Sequence, residues 1–131
     1  MFDQISKEEQ GQALLEMAVI LPIFLLLLLG VIEIARVGYA YVTVNNAARA
    51  GARLASVGGN DVEITNAIYN AAPSLDKTSL AIRISPEDYL RKSGQSIIVE
   101  VKYPVQLVMP VIEAVMPNPV NVGSTLSMRL E

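Results

Sequence analysis

The sequence predicts an α+β protein: a long N-terminal hydrophobic helix of the transmembrane or pilin type, packed on a small antiparallel β-sheet head with a second short helix. Three observations predict it. Met17–Ile32 is a run of sixteen uncharged, mostly apolar residues, too long for a strand. The C-terminal half holds three segments in which apolar and polar residues alternate, the period of a half-buried strand. Gly58-Gly59 separates the two regimes, and paired glycines break a helix. The 131 residues suffice for one small domain and a membrane segment. They divide into a polar leader (1–11), a long helix (12–57) and a head domain (58–131).

A spanning helix needs about 20 predominantly apolar residues. Residues 13–35 supply them if Glu16 and Glu33 sit at the two interfaces. Pro22 lies inside this run and is expected to kink the helix or loosen one turn, because it lacks an N–H and crowds the preceding turn. The helix is expected from Gln12 to about Ser56, roughly 67 Å at about 1.5 Å per residue. The bilayer core is about 30 Å thick, so half of the helix projects beyond it. Glu33 and Arg36 are three residues apart and can pair at the membrane exit. Tyr39 and Tyr41 follow, where aromatic rings sit at headgroup level. A cleaved secretory signal is an alternative, with Gly38-Tyr39-Ala40 as its cut site. The apolar run exceeds the usual 7–15 residues of such a signal, and residues 1–11 are not positively charged.

Ala47, Gly51 and Ala55 recur at intervals of four and share one helix face, widened by Ala48 and Ala52. A small-residue stripe lets another backbone approach closely. The approaching element is either a neighbouring subunit or this chain's own sheet, the commoner use of such a face. Beyond the glycines, Asn60 and Glu63 have the spacing of a capping box. Ile64, Ala67, Ile68 and Ala71 form the apolar face of a helix that ends near Ala72, before Pro73. Strands are expected around Leu80–Ser85, Ile97–Tyr103 and Val122–Leu130. Pro104–Asn121 is dense in proline and apolar, and is expected as a loop without regular helix or central strand. It either folds over the sheet edge or offers a contact surface.

The chain has neither Cys nor His. Disulfides, thiolate metal sites and His-dependent catalytic devices are therefore outside its chemistry. No metal, cofactor or catalytic residue is expected. Net charge is −3 with scattered basic residues, so nucleic acid is not an expected partner.

Gly11 and Gln12 precede Glu16, and the apolar helix follows. A glycine, then a glutamate five positions on, then an apolar helix looks like the processing site of a type IV pilin precursor. Residues 21–36 (LPIFLLLLLGVIEIAR) and 46–53 (NAARAGAR) resemble the TadE-like family, minor pilins or pseudopilins of tight-adherence (Tad) pilus systems. The ending Met128-Arg129-Leu130-Glu131 resembles that family's usual ending. The resemblance implies cleavage between Gly11 and Gln12 by a prepilin peptidase. It implies that Glu16 meets the N-terminal amine of an adjacent subunit during assembly. Such a pair at about 4 Å is worth roughly 4 kcal/mol at an effective dielectric near 20. The Glu16 carboxylate could otherwise be an interfacial acid reaching water.

Implied partners are other pilins or pseudopilins, the prepilin peptidase, the inner-membrane pilus platform and membrane lipid, within a homo- or hetero-oligomeric filament. The implied location is the bacterial inner membrane, single pass with the head outside the cytoplasm, and after processing the pilus or cell surface. Arg36, Arg49 and Arg53 against the single Lys7 would, by the positive-inside rule alone, place the head inside. Leaders of this family are usually Arg-rich, whereas this one carries Asp3, Glu8 and Glu9. An N-terminal Gln12 could also cyclise and lose its positive amine. The alternative function is an uncleaved, single-pass membrane-anchored subunit of an envelope secretion or pilus complex.

Overall fold

The structure, a computed structural model, describes residues 2–131, with side chains from Glu9 onward. Met1, and the side chains of Asp3, Lys7 and Glu8 on which the leader's charge reading rests, lie outside the described residues. Helix α1 runs from Phe2 to Ser56, about 82 Å at 1.5 Å per residue. It ends where the sequence places its end and starts earlier than expected. The backbone is helical through Gly11, so no turn separates the leader from Gln12. Glycine costs a helix only about 1 kcal/mol relative to alanine, and Gly11 has helical neighbours on both sides. The helix also continues through Pro22 without interruption.

The two halves of α1 differ in burial. Large apolar side chains from Leu14 to Ile34 stand 44–72% exposed. From Ala40 the same helix becomes the centre of the head. Ala40, Val44, Ala47, Ala48, Ala52 and Ala55 are buried on one face, the spacing of a stripe at 3.6 residues per turn.

Helix α2 (Asp61–Ala71) packs on that stripe. Asn60 Oδ1 accepts from Glu63 N–H at 2.9 Å, and Glu63 Oε2 accepts from Asn60 N–H at 3.0 Å, completing the capping box. Ile64 and Ile68 are fully buried against α1. In the turn to the sheet, the Asp76 carboxylate accepts from the Thr78 hydroxyl and N–H and from Ser79. These bonds, the Thr78 hydroxyl first, hold it below the usual carboxylate range.

Strands β1 (Ala81–Ser85), β2 (Ser96–Val105) and β3 (Val120–Arg129) form an antiparallel sheet in the order β1-β2-β3. Ile97, Val99 and Val101 point into the core while Ile98, Glu100 and Lys102 face out, the period-two alternation of the sequence. A salt bridge between Lys102 and Glu100 (2.6 Å) lies on the outer face. It holds the Glu100 carboxyl below its ordinary range. Glu131 N–H donates to Ser56 O at 3.0 Å, so the C-terminus closes on the end of α1.

The proline-rich segment departs from expectation. The central strand β2 includes Pro104, which pairs with Asn121. Strand β1 pairs only with Ile98–Lys102, so beyond Lys102 β2 has a neighbour on one side alone. A strand tolerates proline at such an edge. A one-turn helix, α3 (Pro110–Glu113), also forms, with Pro110 at its first turn, where a missing N–H costs nothing. A 3₁₀ turn forms at Asp88–Leu90, between β1 and β2.

Candidate assembly and membrane-exit sites

Three groups of residues stand out along α1. The first is its N-terminal end. Gly11 and Gln12 are exposed on the helix, and an added Cβ at Gly11 would meet nothing within 4 Å among the described residues. Gln12 Nε2 donates to Glu16 Oε1 at 3.3 Å, one turn on. Glu16 is exposed and this neutral amide is its only hydrogen-bond partner among the described residues. The carboxylate thus stands at the head of the apolar run with capacity for further donors.

The second group marks the exit from the apolar half. Arg36 Nη1 donates to Glu33 Oε1 and Oε2 at 3.1 and 3.0 Å. Glu33 is 4% exposed because the β2–β3 loop lies over it. Its Oε1 accepts from Val108 N–H at 2.9 Å, and Arg36 Nη2 donates to Gln106 O at 3.4 Å. The pair expected only within the helix therefore also clasps a loop 70–75 residues away. Asn118 holds the loop's other end. Its Oδ1 accepts from Leu107 N–H at 3.0 Å, and its Nδ2 donates to Glu113 Oε1 at 2.8 Å and to Leu107 O at 3.4 Å. Between the loop and α1 lies an apolar cavity of about 370 Å³, bounded by Ile34, Val37, Gly38 and Tyr41 on the helix and by Ile112 and Met116 on the loop. The Tyr39 hydroxyl donates to Ser74 Oγ at 3.1 Å, tying the exit turn to the head.

The third group is the small-residue stripe. Ala47, Gly51 and Ala55 are buried inside the head. A Cβ at Gly51 would lie 2.6 Å from Ile68 Cγ1, so α2 occupies the close-approach face. The stripe serves packing within this chain. Arg49 and Arg53 lie on the opposite, exposed side.

Sequence reasoning missed Arg91. Its guanidinium is nearly buried and gathers three segments. It donates to Pro86 O at 3.0 Å and Gly59 O at 3.1 Å, and pairs with Asp61 and Asp88. Nothing local to Arg91 signals a partner thirty positions upstream. Asn118 carried a faint signal, since an Asn between two prolines in a loop commonly bonds to nearby backbone. Replacing Arg91 with Met leaves two carbonyls without their donor, each a loss of about 1–3 kcal/mol. We expect Arg91→Met to lower head stability by about 2–6 kcal/mol, read as faster hydrogen exchange at the α2 and β1 amides.

Among the described residues, no three of His, Cys, Asp and Glu come together as metal ligands. The apolar part of α1 is long enough and apolar enough to cross a membrane. Residues 11–53 match the family model described as TadE-like protein. The match spans the Gly11–Glu16 motif, the apolar run, the Glu33–Arg36 pair and most of the stripe. No curated protein and no solved structure gives a significant match to the chain.

Proposed function

We propose that this TadE-like protein, matched to its family over residues 11–53, is a structural subunit of a Tad-type pilus, with no catalysis of its own. It is inserted in the inner membrane through residues 13–35 with the head outside the cytoplasm. It is cut between Gly11 and Gln12 by a prepilin peptidase and enters or primes a filament that serves surface attachment. The observation that carries this reading is the division of α1. An exposed apolar half begins at Glu16 and passes into a half that is the core of a folded head. A lone carboxylate at the head of an apolar helix is a functional group by default, and its capacity for a donor suits the amine of a neighbouring subunit. Other pilins or pseudopilins and the inner-membrane platform are the partners that reading requires.

A second reading has one observation in its favour. The helix is continuous through Gly11, and cleavage there requires it to unwind. That suits an uncleaved single-pass anchor of an envelope complex. A secretory signal cut after Ala40 is disfavoured, because it would remove Ala40 from the core and the Glu33 and Arg36 side chains that hold the β2–β3 loop.

The intact mass of the protein isolated from its native membranes tests these readings. A chain beginning at Gln12, with or without loss of ammonia by cyclisation, is the expected result. A chain that retains residues 1–11 overturns processing and leaves the anchor reading.

A further inference from the structure

We propose that the β2–β3 loop, Gln106–Pro119, is a membrane-seating element whose exposed apolar side chains enter the lipid interface beside the point where α1 emerges. The inference rests on the reading that residues 13–35 span the membrane. Its occupant is lipid acyl chain, including an acyl end in the cavity between the loop and α1.

Position carries the first part of the argument. Strand β2 begins near the far end of the head, where Gly94 and Gln95 bond with Leu130, and Glu131 bonds with Ser56. It runs back toward the apolar half of α1, and β3 returns. The connection between them is thereby delivered to Glu33, where Val108 N–H is bonded. The cavity residues Ile34, Val37, Gly38 and Tyr41 are the first two turns beyond Glu33. The loop is thus level with the end of the span, where interfacial elements bury their apolar faces about 5–10 Å deep.

Composition carries the second part. The fourteen residues 106–119 include one charged side chain, Glu113, and that carboxylate accepts from Asn118. Val108, Val111, Val115 and Met116 are exposed, Val115 to 84%. On α1, Ile34 borders the same cavity as Ile112 and Met116, and Val31 and Ile32 are exposed on the turn before it.

Backbone satisfaction carries the third. Unpaired N–H and C=O groups are what normally keep loops out of lipid. Here Pro110, Pro117 and Pro119 have no N–H to satisfy. The N–H groups of Leu107, Val108, Ile112, Glu113, Val115 and Met116 are all bonded within the chain. Six of the loop's eleven N–H groups are thus bonded within the chain, and four outward apolar side chains are more than a connection between two strands needs in water. A second copy of the chain could cover the same patch, but lipid is already present at this level around the span.

The chain has no Trp, so one introduced Trp reports alone. Full-length Val115→Trp, Leu26→Trp and Lys92→Trp are placed separately in phosphatidylcholine–phosphatidylglycerol vesicles with plain or acyl-brominated chains. Lys92 is exposed near the far end of the head. Val115→Trp is expected to be quenched by brominated lipid at least about threefold more than Lys92→Trp and shielded from aqueous iodide, as an interfacial residue is. Val111→Trp repeats the measurement at an independent position. Quenching of Leu26→Trp with Val115→Trp and Val111→Trp behaving as Lys92→Trp overturns the seating loop and leaves the span intact. Shielding from iodide without lipid quenching assigns the patch to a protein neighbour and also overturns the proposal. An unquenched Leu26→Trp removes the span and the inference together.

Discussion

Glu16→Ala is expected to leave synthesis, membrane insertion and removal of residues 1–11 unchanged, while incorporation into filaments falls about 100-fold to 1,000-fold. The magnitude follows from the pair it would form. A carboxylate and an amine at about 4 Å gain roughly 4 kcal/mol at an effective dielectric near 20. Desolvation takes back part of this, and each 1.4 kcal/mol is a factor of ten. The variant separates assembly from folding because Glu16 is exposed and lies a full membrane span from the head. Its only described partner is the Gln12 amide. Glu16→Gln refines the result. It should be nearly as defective as alanine if the Gln12 amine is free, and much milder if Gln12 cyclises, since a neutral partner requires only a hydrogen bond. The readout is subunit content in sheared filaments against membrane content in the same cells. Normal incorporation of Glu16→Ala would make the carboxylate an interfacial acid and nothing more.

The second large effect is expected in the head. Alanine at Gly51 gains about 1 kcal/mol of helix propensity. Its Cβ, however, would stand 2.6 and 2.7 Å from Ile68 Cγ1 and Cδ1, with Ile64 Cγ2 at 3.4 Å. Ile68 is fully buried, so moving it aside disturbs the packing around it, and overpacking of this kind costs about 1–3 kcal/mol. Gly51→Ala should therefore be destabilising on balance, and Gly51→Val more so. Ile68→Ala alone opens a cavity and costs about 2–5 kcal/mol. The double variant Gly51→Ala/Ile68→Ala should be more stable than the sum of the two predicts by at least about 1 kcal/mol, because each change relieves the other. Hydrogen exchange of the β2 amides in detergent is the appropriate measurement. Far-ultraviolet circular dichroism would be dominated by α1, which stays helical in an apolar medium after the head unfolds. A neutral Gly51→Ala without coupling to Ile68 would show that α2 does not hold this face closed, leaving the stripe open to a neighbouring subunit.

Much of this architecture is legible before folding because local periodicity encodes it. The apolar run at 17–32, the capping box at Asn60 and Glu63, and the alternation of Ile97, Val99 and Val101 each specify an element from residues within a few positions of one another. The Glu33–Arg36 pair and the end of α1 near Ser56 are local for the same reason. The start of α1 was less legible. Residues 2–11 carry no break strong enough to stop a helix already favoured on their C-terminal side, so the helix extends through Gly11. Proline density over 104–121 argues against a central strand and a regular helix as long as the sheet is unknown. The free side of β2 beyond Lys102 admits Pro104, and a helix first turn admits Pro110.

Residue type and spacing in the sequence thus specify the membrane-grade helix, the α+β head, the acid at the helix start and a chemistry without thiol or imidazole. Contacts between distant positions specify the rest. Folding places Val108 on Glu33, Arg91 on Gly59 and Asp61, and Ile68 against Gly51. The reason is physical: helix and strand periods arise from backbone geometry repeated every few residues, whereas the partner of a buried carboxylate, a buried guanidinium or a small-residue face depends on which surfaces the sheet and α2 bring together around α1.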